Sequence, residues 1–215
     1  MAIIAPSLLA ADFLHLEREC AMVNESEAEW LHLDVMDGRF VPNISFGLPV
    51  IEMVTGINKK ISDVHLMIVE PEKYISAFKT AGAQVLSIHL EACPHLHRNI
   101  EQIRSLGMDA GVAVNPHSPI DLLKDILHDI QVVNLMSVNP GFGGQKFIPH
   151  TLVKIKLLRR MIDEKGMNVK IQIDGGVTVE NAAEIIAAGA DVLVVGNTVF
   201  KSSDPIATIH RLKQL

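Results

Sequence analysis

Eight short runs of β-branched and apolar residues recur along the 215 residues, and longer amphipathic stretches separate them. The runs are Ile3–Ser7, Trp30–Asp34, Asp63–Met67, Val85–His89, Ala110–Val114, Val132–Met136, Lys170–Asp174 and Val192–Val195. One unit per roughly 27 residues is the length of a strand–helix repeat. An open doubly wound sheet uses the same alternation, but eight regular units without a break favour closure into a (β/α)₈ TIM barrel. Hydrophobic residues make up 48% of the chain, mostly Ile, Val, Leu, Ala and Met, which suits strands covered on both faces. No Ser/Gly/Pro-rich linker or low-complexity segment interrupts the pattern, so residues 1–215 are expected to form one domain.

Punctuation supports the helical assignments. Asp12 is placed to cap a helix reaching about Asn24, and Pro71 sits where proline opens a helix. The stretches His95–Leu106, Pro149–Lys165 and Thr178–Ala188 each precede a glycine, Gly107, Gly166 and Gly189, suited to a C-terminal cap. Pro205 opens the last helix.

Charge and hydropathy exclude several classes of partner. The chain carries 19 Lys+Arg against 25 Asp+Glu, a net charge of −6, and no basic cluster, so nucleic acid is not an expected partner. No apolar stretch is long enough to span a membrane, and Asp12 interrupts the N-terminal apolar segment, which argues against a signal peptide. Cys20 and Cys93 make no disulfide framework and have no partner that would activate a thiol, which fits inert thiols in a reducing cytoplasm.

A closed barrel does its chemistry at the C-terminal ends of its strands. His32 and Asp34 end the second run two residues apart and therefore share a face. His65 lies in the third run and Asp174 ends the seventh. Two imidazoles and two carboxylates on one rim form a ligand set for one divalent ion, Zn²⁺, Fe²⁺, Co²⁺ or Mn²⁺. The second and seventh strands lie across the mouth from each other. Asp34 and Asp174 would then face a planar intermediate from opposite sides, one taking a proton and the other giving one, which inverts a stereocentre. A metal between them would stabilise an enediolate oxygen.

Glycines follow the sixth, seventh and eighth strands: Gly141, Gly143 and Gly144 around Phe142, then Gly175 and Gly176, then Gly196 before Asn197. Any one group could simply make a turn. Three on adjacent strands point to a phosphate cup lined by backbone amides. Met36, Met67 and Met136 are either core filler or a polarisable floor beneath an intermediate. Ser7 either meets substrate or satisfies a loop, and His89 and Glu91 either orient metal ligands or serve structure alone. Asp37, Arg39 and Asn43 lie in a loop able to cover the mouth.

Several long motifs are then met in order: Ile4-Ala5-Pro6-Ser7-Leu8-Leu9-Ala10-Ala11-Asp12-Phe13, His32-Leu33-Asp34-Val35-Met36-Asp37-Gly38, Phe40-Val41-Pro42-Asn43, Asp63-Val64-His65-Leu66-Met67, Ser137-Val138-Asn139-Pro140-Gly141-Phe142-Gly143-Gly144-Gln145 and Asp174-Gly175-Gly176-Val177. In these motifs the chain resembles the ribulose-phosphate 3-epimerase family, from the first strand to the seventh, and the eighth unit fits in length. The resemblance implies a ribulose-phosphate-binding barrel that interconverts D-ribulose 5-phosphate and D-xylulose 5-phosphate in pentose-phosphate metabolism. It implies metal ligation by His32, Asp34, His65 and Asp174, with Asp34 as proton acceptor and Asp174 as donor. Ser7 and His65 would contact substrate, and the glycine loops would hold its phosphate. Asn197 departs from the Ser or Thr frequent there; the backbone N–H survives the change, but the side-chain contact need not.

Three other readings share this frame. A hexulose phosphate such as D-allulose 6-phosphate undergoes the same inversion. A decarboxylase or aldolase could use a related phosphate-binding barrel; a Schiff-base aldolase needs a lysine inside it, whereas Lys170 begins its strand at the far rim. A sugar-phosphate sensor would not need both carboxylates. The expected partner is a small ketose phosphate, and homo-oligomeric association is expected.

Overall fold

A computed structural model describes residues 1–215. Eight parallel strands form one sheet: β1 (Ile3–Pro6), β2 (Trp30–Met36), β3 (Ile61–Met67), β4 (Val85–His89), β5 (Asp109–Val114), β6 (Val132–Met136), β7 (Lys170–Asp174) and β8 (Val192–Val195). Hydrogen-bonded neighbours run β1-β8-β7-β6-β5-β4-β3-β2. A parallel bridge between Ser7 and His32 closes the ring, helped by the Glu29 amide donating to the Ile4 carbonyl at 3.3 Å.

The helices are α1 (Leu16–Glu25), α2 (Leu48–Ile57), α3 (Ile75–Thr80), α4 (Leu96–Ser105), α5 (Thr151–Glu164), α6 (Val179–Ala187), α7 (Asn197–Phe200) and α8 (Pro205–Lys213). Local chemistry explains their ends. Thr178 and Asn181 make a reciprocal capping box at α6, and Asp204 caps α8 ahead of Pro205. Asp12 does act as a cap, but of a 3₁₀ turn, Phe13–His15, that leads into α1. One expectation fails. The fifth unit has no α-helix, and two 3₁₀ turns, Ile120–Leu123 and Leu127–Asp129, cross to β6 instead. Pro116 and Pro119 interrupt the segment where a helix would have to start.

Two kinds of interior result. Outward-facing strand residues and the inner faces of the helices form one cluster of 50 buried residues. Inside the ring a small apolar plug of Ala5, Trp30, Val85, Val132, Val192 and Val194 fills the bottom. Above it the inward positions turn polar: Asp63, Ser87, Asn134 and Gln172 are all fully buried. The period-2 rule explains the layering, because each sits two residues before an inward residue nearer the mouth: His65, His89, Met136 and Asp174.

Candidate active site

His32, Asp34, His65 and Asp174 converge at the top of the ring, with one ligand atom from each within 4.8 Å of all the others. The pairing is reciprocal. His32 Nε2 lies 3.2 Å from Asp34 Oδ1 and 3.4 Å from Asp174 Oδ2. His65 Nδ1 lies 3.2 Å from each of the same two oxygens. Each imidazole thus addresses both carboxylates, and each carboxylate both imidazoles.

The remaining atoms are also held. His32 Nδ1 donates to Asp63 Oδ2 at 2.6 Å, and Gln172 donates to that same oxygen from across the barrel. Ser7 Oγ donates to Asp34 Oδ2 at 2.6 Å, so its hydroxyl orients a carboxylate as well as lining the cavity above. Asn134 Nδ2 approaches Asp174 Oδ2 at 3.4 Å.

Charge in this cluster follows from its compactness. Burial drives the imidazoles toward neutrality, but Asp34 and Asp63 outweigh it for His32 and lift its pKa well above the usual histidine value. His65 moves the same way, with Asp174 and Asp34 overcoming its burial. Burial raises Asp34, and hydrogen-bonded His32 and His65 reverse that, holding it far below the ordinary carboxylate range. Asp174 is raised by burial and by Asp34, yet the two histidines pull it down to about 2. Without an ion the two carboxylates favour the protonated imidazoles, which biases the cluster toward imidazolium–carboxylate pairs. A divalent ion would replace the two protons and meet two nitrogens and two oxygens, a donor set suited to a transition metal.

The cavity over these carboxylates measures about 200 Å³. Ser7, Asp34, Met36, Met67, Met136 and Asp174 line its lower part. Gly141, Phe142, Gly143 and Gly144, then Gly175 and Gly176, then Gly196 and Asn197 line its rim. His32 and His65 are fully buried and lie behind the carboxylates. Gly176 shows why glycine is needed here. Its φ is +66°, and a Cβ would come within 2.4 Å of the Phe147 nitrogen. Above the mouth, Asn43 Nδ2 donates to the Gly141 carbonyl at 2.8 Å, so the loop after β2 reaches across to the loop after β6.

The comparisons with known proteins bear on this site. Residues 3–200 match the model of the Ribulose-phosphate 3 epimerase family. Ribulose-phosphate 3-epimerase of Bacillus subtilis is 49% identical over 211 residues, covering 98% of this chain and 97% of that one. The enzyme of that name from Synechocystis sp. is 48% identical over 217 residues, covering 99% and 94%. This chain belongs to the ribulose-phosphate 3-epimerase family. Solved structures that share only its fold include KGPDC from Streptococcus mutans, with a TM-score of 0.75 at 13% identity over 100% of this chain and 96% of that one. N-(5'-phosphoribosyl)anthranilate isomerase from Pyrococcus furiosus has a TM-score of 0.68 at 17% identity, with 100% of both chains covered.

In this family member the four ligand candidates form the cluster, and Ser7, the three methionines, Phe142, Asn197 and the rim glycines line the cavity, whereas Asp37, Arg39, Asn43, His89 and Glu91 lie outside its lining. Spacing alone did not single out Asp63, Asn134 or Gln172. Their positions two residues before His65, Met136 and Asp174 were the available signal. The buried lysine, Lys154 of α5, donates to the carbonyls of Asn115, Pro116 and Ser118 and is absent from the cavity lining. No Schiff-base lysine is therefore on offer there. Cys20 and Cys93 are buried, and burial pushes both thiols up to about 11, which fits inert thiols.

Proposed function

We propose that this chain is a metal-dependent ribulose-phosphate 3-epimerase that inverts C3 between D-ribulose 5-phosphate and D-xylulose 5-phosphate. The observation that carries the reading is the pair of carboxylates, Asp34 from β2 and Asp174 from β7, both fronting one cavity over a buried pair of histidines. In this reading Asp34 takes the C3 proton on one face of the sugar. Asp174 delivers a proton to the opposite face of the planar enediolate, and the roles exchange in the reverse direction. One proton leaves and one returns, so the products differ only in configuration.

His32, Asp34, His65 and Asp174 would hold the ion, and the donor set fits Zn²⁺, Fe²⁺, Co²⁺ or Mn²⁺. When bound, such an ion offsets the negative charge of an enediolate. Ser7 keeps Asp34 turned toward the substrate through its 2.6 Å hydrogen bond. Amides at Gly141–Gly144, Gly175-Gly176 and Gly196-Asn197 hold the phosphate, and Met36, Met67 and Met136 offer a polarisable surface beneath the sugar.

Residues 1–215 act as one domain in this reading, as a homo-oligomer, in a cytoplasmic compartment and within pentose-phosphate metabolism. No helix is long and apolar enough to cross a membrane. The deciding experiment assays D-ribulose 5-phosphate and D-allulose 6-phosphate side by side with metal-loaded protein. A larger kcat/KM on the pentose phosphate is expected, and the reverse order would overturn the substrate assignment. Light scattering on the same sample measures the oligomeric state.

A further inference from the structure

The two histidines of the cluster are steadied by different means. His32 leans directly on an anion, Asp63. His65 does not. Its Nε2 lies 2.9 Å from Nε2 of His89, whose Nδ1 lies 3.1 Å from Glu91 Oε2. The two rings and the carboxylate lie on or just beyond neighbouring strands: His65 within β3, His89 at the end of β4, and Glu91 two residues further. His65 and His89 also stack, with ring centroids 5.0 Å apart, and the Phe40 ring lies tilted 4.5 Å from His89.

The protons along this chain can be placed from chemistry. Glu91 has no hydrogen to give, so His89 Nδ1 carries one and donates it. A neutral His89 then presents a bare Nε2, which accepts from His65 Nε2–H. That leaves Nδ1, the atom 3.2 Å from both Asp34 and Asp174, as the nitrogen whose proton an ion would replace. Glu91 is itself anchored by the Asn115 amide at 2.8 Å and by the Ser118 hydroxyl. Lys154 gathers the carbonyls of Asn115 and Ser118 from the other side, so the anchor is tied to α5.

We propose that His89 and Glu91 are positioning residues that fix His65 in its Nε2–H tautomer, so that Nδ1 is presented to a metal ion. This inference rests on the metal-dependent reading above. An imidazole relay also suits the charge of the site. Asp34, Asp174 and Asp63 already place three carboxylates at or beside the cluster. A fourth against His65 would add negative charge beside an anionic intermediate, whereas His89 moves that charge outward to Glu91.

The test compares wild-type protein with His89→Gln, His89→Leu and Glu91→Gln. Co²⁺ affinity is read by chelator competition and by the visible spectrum of the Co²⁺ protein, and folding by circular dichroism. Gln keeps an acceptor where His89 Nε2 stands, and Leu removes it. His89→Leu should bind Co²⁺ about 10–100-fold more weakly, the usual loss for a ligand-orienting partner. His89→Gln should recover most of that loss, and Glu91→Gln should fall between. Equal losses in the Gln and Leu variants would indicate a shape role and overturn the proposal, as would wild-type affinity in His89→Leu. If wild-type protein binds no Co²⁺, the metal reading fails. The relay is then judged on metal-free protein by long-range ¹H–¹⁵N spectra, which should report His89 as the Nδ1–H tautomer; the Nε2–H tautomer would overturn it.

Discussion

Asp34 and Asp174 are the residues on which the reading turns, and they are not equivalent. Asp34 is 4% exposed, receives the Ser7 hydroxyl and is held far below the ordinary carboxylate range, while Asp174 is 8% exposed and sits at about 2. Both are ionised at neutral pH in the metal-free protein, so the one that gives a proton must first acquire it from substrate or solvent. Replacing either with Asn keeps the shape and removes the base. Asp34→Asn and Asp174→Asn should each lower kcat by at least about 10²–10⁴-fold at saturating metal, the usual contribution of a general acid or base. Deuterium exchange at C3 in D₂O checks this, with circular dichroism as the control for folding. A variant that still exchanges at the wild-type rate would remove its residue from the two-base scheme. The four cluster residues were legible in the sequence because His32 and Asp34 share a strand face and because strand ends are where a barrel's chemistry lies. Their supports were less so. Asp63 meets Gln172 across 109 residues of chain, and no local spacing encodes a contact of that range.

At the scale of elements, seven of the eight units carry an α-helix after the strand, and the exception falls where Pro116 and Pro119 follow β5. The strand runs were readable because each is a short β-branched segment bounded by turn residues. The missing helix was not, because a regular repeat suggests a helix in every unit while proline acts locally. The same contrast applies to the rim. Glycines after β6, β7 and β8 were visible as composition, but which of them have no room for a side chain is a matter of tertiary contact. Gly176 combines a φ of +66° with a would-be Cβ 2.7 Å from the Phe147 Cα, so Gly176→Ala must displace backbone on one side of the cup. Losing a charge-assisted contact to phosphate costs about 1.5–3 kcal/mol, so KM should rise about 10–100-fold. Gly166→Ala provides the comparison. It has a similar φ of +62° at the end of α5 but nothing within 4 Å, so it should lower stability by about 1 kcal/mol and leave KM unchanged. Similar KM values in the two variants would show that backbone strain, and not the cup, is what Gly176 protects against.

For the whole molecule, the net charge of −6 and the absence of a basic cluster are compatible with the proposed anionic substrate, since in that reading backbone amides and an ion would supply the positive potential. The barrel also places its carboxylates inside its own core, so an ion bound there would be linked to folding. His32 and His65 have pKa values raised above 6.5 in the folded state. Their imidazolium–carboxylate attraction therefore stabilises the metal-free protein fully below the unfolded value of about 6.5, and it is lost as pH rises through the folded values. Above that window two buried carboxylates face each other with less compensation. An ion has the opposite dependence, because it needs both imidazoles neutral and competes with protons for them. At a hundredfold excess over its Kd a ligand adds about 2.7 kcal/mol, which for a chain of this size raises Tm by about 5–10 °C. The gain on adding Co²⁺ to chelator-treated protein should accordingly be small near pH 6 and grow steadily toward pH 8. Differential scanning calorimetry with and without Co²⁺ across that range measures it. A gain that stays constant with pH would mean that the ion does not displace protons from His32 and His65, and would move the metal site away from this cluster.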